Sequence, residues 1–112
     1  MFPGGEPDLS ALLAQAQQIQ QQLAQAQQTI ADARLTGTAG GGLVSATVTG
    51  SLELVSLTLA PQTVDPDDVE TLVDLVLAAV RDAQRQAHEL QKSTMAPFDA
   101  AGDALGNLGL PG

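Results

Sequence analysis

The chain has 112 residues, room for one small domain, and carries 13 acidic residues against 4 Lys and Arg, a formal net charge of −9. This charge opposes binding to nucleic acid and to anionic membranes, and the near absence of aromatic residues excludes base-stacking recognition of single strands. The lack of Cys excludes a disulfide framework and thiolate metal sites.

Residues 1–7 hold two prolines and two glycines, which predicts a flexible leader. This N-terminus has neither a positively charged region nor an apolar core, so we expect no secretory signal. No apolar run reaches membrane-spanning length. The sequence therefore predicts a cytoplasmic protein with no membrane partner.

The first long helix is predicted from an unbroken apolar seam. Its residues recur at alternating steps of three and four: Leu9, Leu12, Ala16, Ile19, Leu23, Ala26 and Ile30. We expect a helix of roughly 40 Å that ends between Ala31 and Arg34. Such a seam needs a second helix or a second chain. The predicted dimer or core residues of this helix are Leu12, Ile19, Leu23 and Ile30.

A three-stranded antiparallel meander is predicted next. Its strands are Arg34–Ala39, Leu43–Thr49 and Leu52–Leu59, and alternation gives the last two one aliphatic and one largely hydroxylated face. Gly40–Gly42 is interpreted as a plain turn, because a phosphate cradle would need a nearby Lys and a helix directly after it. A two-residue turn is expected at Gly50-Ser51. The hydroxyl face could contact a ligand, although Thr on a wet sheet face is ordinary.

The second long helix is predicted to begin at the acidic run after Val64. Asp65 is expected to cap it, with Pro66 at the first helical position and Asp67 and Asp68 at the positive end of the dipole. The calcium-loop pattern is missing here, so no metal is expected. The first half of this helix is apolar nearly all round and should be buried on several sides. Its predicted core residues are Val73, Val76 and Val80.

One face of the second helix collects most of the positive charge. This basic strip comprises Arg81, Arg85, His88 and Lys92, which lie within about 60° of one another, opposite a stripe formed by Ala83, Ala87 and Leu90. Asp82 and Glu89 flank it and weaken its field. A solvated face is the simpler interpretation of such a strip.

The sequence holds no catalytic constellation. His88 lies on an exposed helical face without a nucleophile, so we expect no enzyme, no cofactor, no metal and no small-molecule substrate. Residues 96–112 are rich in Gly and Ala and are predicted to be a disordered tail. The single domain is predicted to span residues 8–95.

With these elements in place, the chain resembles the YbaB/EbfC family of bacterial nucleoid-associated proteins. The resemblance rests on LLAQAQQIQQQLAQAQQTIAD (12–32), TGTAGGGLVSATVTG (36–50) and VDPDDVETLVDLVLAAVRDAQRQAHE (64–89). It implies an α+β fold and an intertwined homodimer whose strands join across the dimer and whose long helices project as arms. It also implies duplex-DNA binding in the nucleoid, with the Val69–Val80 region in the body and the basic strip on a projecting arm.

Two functions stay open at this stage. Members of that family often carry Lys in the first helix and after the GLV of the hairpin, where this chain has Gln, Ala and Ser45. Cation–phosphate contacts supply most non-specific DNA affinity, so weakened DNA binding is expected. The alternative is an acidic dimeric interaction module of the same fold that binds another protein, such as a basic one, and no longer binds DNA.

Overall fold

The structure, a computed structural model, describes residues 9–106, and the side chains of residues 9–99. Its main elements are α1 (Leu9–Asp32), β1 (Arg34–Ala39), β2 (Val44–Thr49), β3 (Leu54–Leu59) and α2 (Val69–Gly106). This order confirms the predicted α+β fold of two long helices around an antiparallel meander. The predicted leader, residues 1–7, lies outside the described residues. The chain is elongated, with extents of 80 × 29 × 17 Å.

The core lies between the sheet and the middle of α2. The strands run antiparallel in the order β1-β2-β3, and the predicted aliphatic residues of β2, Val44, Ala46 and Val48, are buried. Helix α2 packs across β1 and β2. It meets them through alanines spaced by four residues, so they share one helical face: Ala79, Ala83 and Ala87. Small side chains on both surfaces let the helix approach the sheet closely.

The sheet's opposite face is hydroxylated, as predicted. Thr36 and Thr47 are paired across β1 and β2, and their hydroxyl oxygens are 2.9 Å apart. Ser45 pairs with Thr58, and Thr47 also pairs with Ser56 on β3.

Helix α1 joins the body at its C-terminal end. Ile30 is buried, and the backbone carbonyl of Ile30 lies where a Cβ on Gly50 would stand, so only glycine fits at that turn. The guanidinium of Arg34 donates to the last carbonyls of the helix region, those of Ala31, Asp32 and Ala33. Arg34 therefore serves as a cap that offsets the negative end of the helix dipole.

The predicted seam of α1 is only partly covered within one chain. Ile30 is buried and Leu23 is half-buried, but Leu12 is exposed and Ile19 is 55% exposed. From Leu9 to Gln22 every residue is exposed, so this part of the helix stands away from the sheet.

The β2–β3 turn is longer than predicted. Strand β3 begins at Leu54, two residues after the expected start, and the connection spans residues 50–53. The buried hydroxyl of Thr49 accepts hydrogen bonds from the N–H groups of Ser51 and Glu53, and Leu52 adopts a positive φ of 73°. Satisfying the buried Thr49 hydroxyl stabilises this four-residue loop in place of a two-residue turn.

The predicted start of the second helix was wrong by a few residues. Helix α2 begins at Val69, and the Oδ1 atom of Asp68 accepts from the N–H of Thr71 at 3.4 Å, which makes Asp68 the N-cap. Asp65 instead accepts from the N–H of Asp67 at 2.9 Å, in a local Asx turn. An acidic run offers several caps, and the turn that Asp65 forms moves the helix start downstream.

Helix α2 continues past residue 95, where the domain was predicted to end. It passes through Pro97 and ends at Gly106. An interior proline removes one backbone hydrogen bond, and this helix continues on both sides of it. The part of the predicted tail beyond residue 106 lies outside the described residues.

Candidate nucleic-acid interface

The basic strip lies on the outer face of α2. Arg81, Arg85, His88 and Lys92 are all exposed. Ala83 and Ala87, on the opposite helical face, are fully buried against the sheet. The strip therefore stands above the sheet, on the body of the molecule. The expectation that it lies on a projecting arm is wrong, because the alanine stripe packs this segment onto β1 and β2.

Arg85, in the middle of the strip, is held by two carboxylates. Its Nη2 atom lies 2.7 Å from Oδ1 of Asp82, and its Nη1 atom lies 3.3 Å from Oε1 of Glu89. These partners are three and four residues away on the same helix, the spacings at which helical side chains meet. The bond with Asp82 is the main cause that raises the pKa of Arg85, and the charge of Glu89 adds to it.

Asp82 links the strip to the sheet. Its Oδ2 atom accepts from the backbone N–H of Thr38 at 3.1 Å, while Arg85 bonds to the other oxygen. The bond from Arg85 and then that from Thr38 lower the pKa of Asp82 below its ordinary value. One turn further on, Nε2 of Gln86 donates to the Thr36 carbonyl at 2.9 Å.

These two contacts close the free edge of β1. Alternate residues of a strand direct their backbone groups to the same side, so Thr36 and Thr38 present theirs to the edge away from β2. Unpaired groups at a sheet edge invite pairing with another chain. At this edge Asp82 accepts a hydrogen bond from the Thr38 N–H, and Gln86 donates one to the Thr36 carbonyl.

The remaining cations differ in their availability. Arg34 is engaged with the carbonyls at the end of α1. In residues 9–99, whose side chains the structure describes, no carboxylate lies within ion-pair distance of Arg81 or Lys92. These two side chains are therefore the cations of the strip that are free to meet a phosphate.

Exposed aliphatic side chains on β3 and in the first half of α2 are grouped here as the apolar patch. It combines the exposed strand β3 with the start of α2 and comprises Leu54, Val55, Leu57, Val69, Val73 and Leu77. Of the predicted core residues in α2, Val76 and Val80 are half-buried and pack against the Val44 cluster, whereas Val73 is 48% exposed. The first half of α2, predicted to be buried on several sides, is thus buried on one side only in the single chain.

Residues 9–106 contain no metal site, no enclosed pocket and no membrane-spanning helix. No group of three or more His, Cys, Asp or Glu side chains there could hold a metal ion, and the three aspartates before α2 serve the turn and the cap. No enclosed pocket is found in this part of the chain. None of its helices combines the length and apolarity needed to cross a membrane.

Sequence reasoning placed the basic strip and its flanking acids but missed the two contacts that join α2 to the edge of β1. The helical spacing of Asp82 and Glu89 from Arg85 is visible in the sequence. The contacts of Asp82 with Thr38 and of Gln86 with Thr36 join residues far apart in the chain, so no local pattern indicates them.

Comparison with known proteins gives three findings. The profile of the YbaB/EbfC DNA-binding family matches residues 5–102. A nucleoid-associated protein of Saccharopolyspora erythraea is 56% identical and one of Rhodococcus erythropolis is 58% identical, each over 100% of this chain and 99% of its own length. The crystal structure of an uncharacterized protein from Helicobacter pylori superposes with a TM-score of 0.67, over 83% of this chain and 98% of that one. At 24% identity, this last likeness shows the fold alone.

Proposed function

The chain belongs to the YbaB/EbfC DNA-binding family, and on this premise we propose that it binds duplex DNA as a homodimer and takes part in nucleoid organisation. Membership confirms the resemblance drawn from the sequence. It also confirms that the chain is not an enzyme, since the family is defined by DNA binding.

The observation that carries the proposal is the pair Arg81 and Lys92 on the outer face of α2. Both are exposed, and among residues 9–99 neither has a carboxylate partner such as those of Arg85. They are separated by roughly 16 Å along the helix axis, at about 1.5 Å per residue. Two exposed cations on a rigid helix can each contact a phosphate without first breaking an ion pair. Such contacts give affinity without sequence preference.

The same geometry supports weak binding. Every contact between a cation and a phosphate releases counterions, so affinity grows with the number of contacts. Two free cations per chain is a small number, and the formal net charge of −9 opposes the approach of a polyanion. Screening over about 8 Å at physiological salt limits this repulsion, so nearby cations count for more than distant acids.

The apolar patch supports the homodimer. A small chain that exposes clustered aliphatic side chains on a strand and an adjoining helix has a surface suited to a partner. The two sheet edges differ: Asp82 and Gln86 occupy the edge of β1, while the side chains of β3 are exposed from Leu54 to Thr58. We therefore infer that a second copy joins at β3 and the start of α2.

A second candidate function is an acidic module that binds a basic protein. The charge of −9 and the engagement of Arg85 by two acids favour it. Salt-sensitive binding to a duplex discriminates the two functions, because a module of this kind would leave DNA unbound.

The test is a duplex titration by mobility shift at low salt, with parent protein and two variants. Arg81→Gln and Thr71→Glu each make the chain more negative by one charge, but only the first removes a strip cation. We expect the parent to bind and Arg81→Gln to weaken binding clearly more than Thr71→Glu. Equal weakening would mean that net charge alone acts, and absence of binding by the parent would favour the second candidate.

A further inference from the structure

Arg85 is the central cation of the basic strip, yet its local surroundings are negative. Its two terminal nitrogens each meet a carboxylate, from Asp82 at 2.7 Å and from Glu89 at 3.3 Å. One guanidinium with two carboxylates carries a formal charge of −1. A DNA strand that approaches the middle of the strip therefore meets an acidic group, although an arginine stands there.

We propose that Asp82 and Glu89 form a carboxylate clamp on Arg85 that limits the affinity of the basic strip for duplex DNA, an inference that rests on the proposed function. A phosphate that binds Arg85 must displace a carboxylate or tolerate its charge. The clamp thus divides the strip into two separate cations, Arg81 and Lys92, with a compensated arginine between them.

The two acids are held to different degrees. Asp82 is the fixed half of the clamp, because its second oxygen accepts from the Thr38 N–H and its side chain is 31% exposed. Glu89 is 69% exposed, and within the described residues its carboxylate bonds to Arg85 alone. Glu89 is therefore the half that can be removed without disturbing the sheet edge.

The experiment compares Glu89→Gln with Glu70→Gln in duplex titrations at low salt. Both variants remove one negative charge from an exposed position of α2 by the same substitution. Glu70 lies roughly 22 Å before Arg85 along the helix axis, too far to form an ion pair with it. Thermal melting of both variants first checks that they fold like the parent.

We expect Glu89→Gln to bind duplex about two- to fivefold more tightly than the parent, the range that an exposed ion pair is worth, and Glu70→Gln to change affinity less. Repeating Glu89→Gln in an Arg85→Ala background tests whether the gain in affinity depends on Arg85. The gain should shrink there, because the cation that the clamp compensates is gone.

The outcomes separate the clamp from the proposed function. Equal gains for Glu89→Gln and Glu70→Gln, or an undiminished gain without Arg85, overturn the clamp while DNA binding by the parent stands. Binding by Glu89→Gln where the parent fails to bind supports the clamp. Failure of both parent and Glu89→Gln to bind overturns the proposed function, and the clamp with it.

Discussion

Gly37 is the residue at which the sheet and α2 come closest. A Cβ at this position would stand 2.3 Å from the Ala79 carbonyl oxygen and 2.3 Å from the Ala83 nitrogen. Both are backbone atoms of a helix, so neither can move aside alone. The close crossing lets Asp82 and Gln86 reach the β1 edge, and it holds the basic strip above the sheet.

Gly37→Ala should therefore destabilise the fold strongly, by about 3 kcal/mol or more, because helix and sheet must separate to admit the methyl group. Gly41→Ala is the control. Its φ of 69° costs a side chain about 1–2 kcal/mol, but no atom lies within 4 Å of the added carbon. Urea unfolding of the two variants measures the difference. A loss at Gly37 no larger than that at Gly41 would show that the helix does not approach as described.

Asp82 offers a second test at the level of a single residue. Its pKa lies below the ordinary value, first because of the Arg85 bond and next because of the Thr38 N–H. A depressed carboxyl pKa stabilises the fold above the unfolded pKa, and this stabilisation is lost as the pH falls through the folded pKa. We expect a titration followed by NMR to give a low pKa that rises in Arg85→Ala. An unchanged value in that variant would place the Arg85 side chain elsewhere.

Among the elements, the sequence predicted the helices and strands better than the contacts between them. The three-four seam and the alternation of β2 predicted both helices and the buried face of the sheet, since periodicity follows directly from backbone geometry. The cap at Asp68 was misplaced because Asp65 offers the same chemistry three residues earlier. The β1 edge contacts could not be predicted, because they depend on how α2 crosses the sheet.

We expect the C-terminal end of α2 to contribute little to the stability of the fold. Among residues 9–99, the last hydrogen bond from an α2 side chain to the sheet region is that of Gln91 to the Gly50 carbonyl, and the helix runs on to Gly106. Deleting residues 99–112 retains this contact and the half-buried Phe98. We expect the melting temperature to fall by less than about 4 °C, equivalent to less than about 1 kcal/mol. A larger fall in a thermal melt would show that the deleted segment packs on the body.

At the scale of the whole molecule, the fold leaves one apolar surface and one basic one. Val73 belongs to the apolar patch and is 48% exposed in the single chain. The basic strip lies on the outer face of α2, away from the buried alanines. The proposed dimer and DNA sites thus use different residues of the same helix, and each can be tested with its own substitution.

Sedimentation across a dilution series should show the parent as a dimer. Val73→Glu should shift it toward monomer, because a buried unpaired carboxylate costs several kcal/mol at an interface. Thr71→Glu adds the same charge about 160° away around the helix, at 100° per residue, and should leave the dimer intact. A parent that remains a compact monomer at every concentration would refute the dimer.

Duplex DNA binding through few cations is the central claim, and the salt dependence of affinity tests it most directly. Arg81 and Lys92 are the free strip cations of each chain, so a dimer offers four, and the slope of log K against log salt should be about −3 to −4. Arg81→Gln combined with Lys92→Gln should remove nearly all of this dependence. No duplex binding even at low salt, or a slope that survives the loss of both cations, would contradict the account.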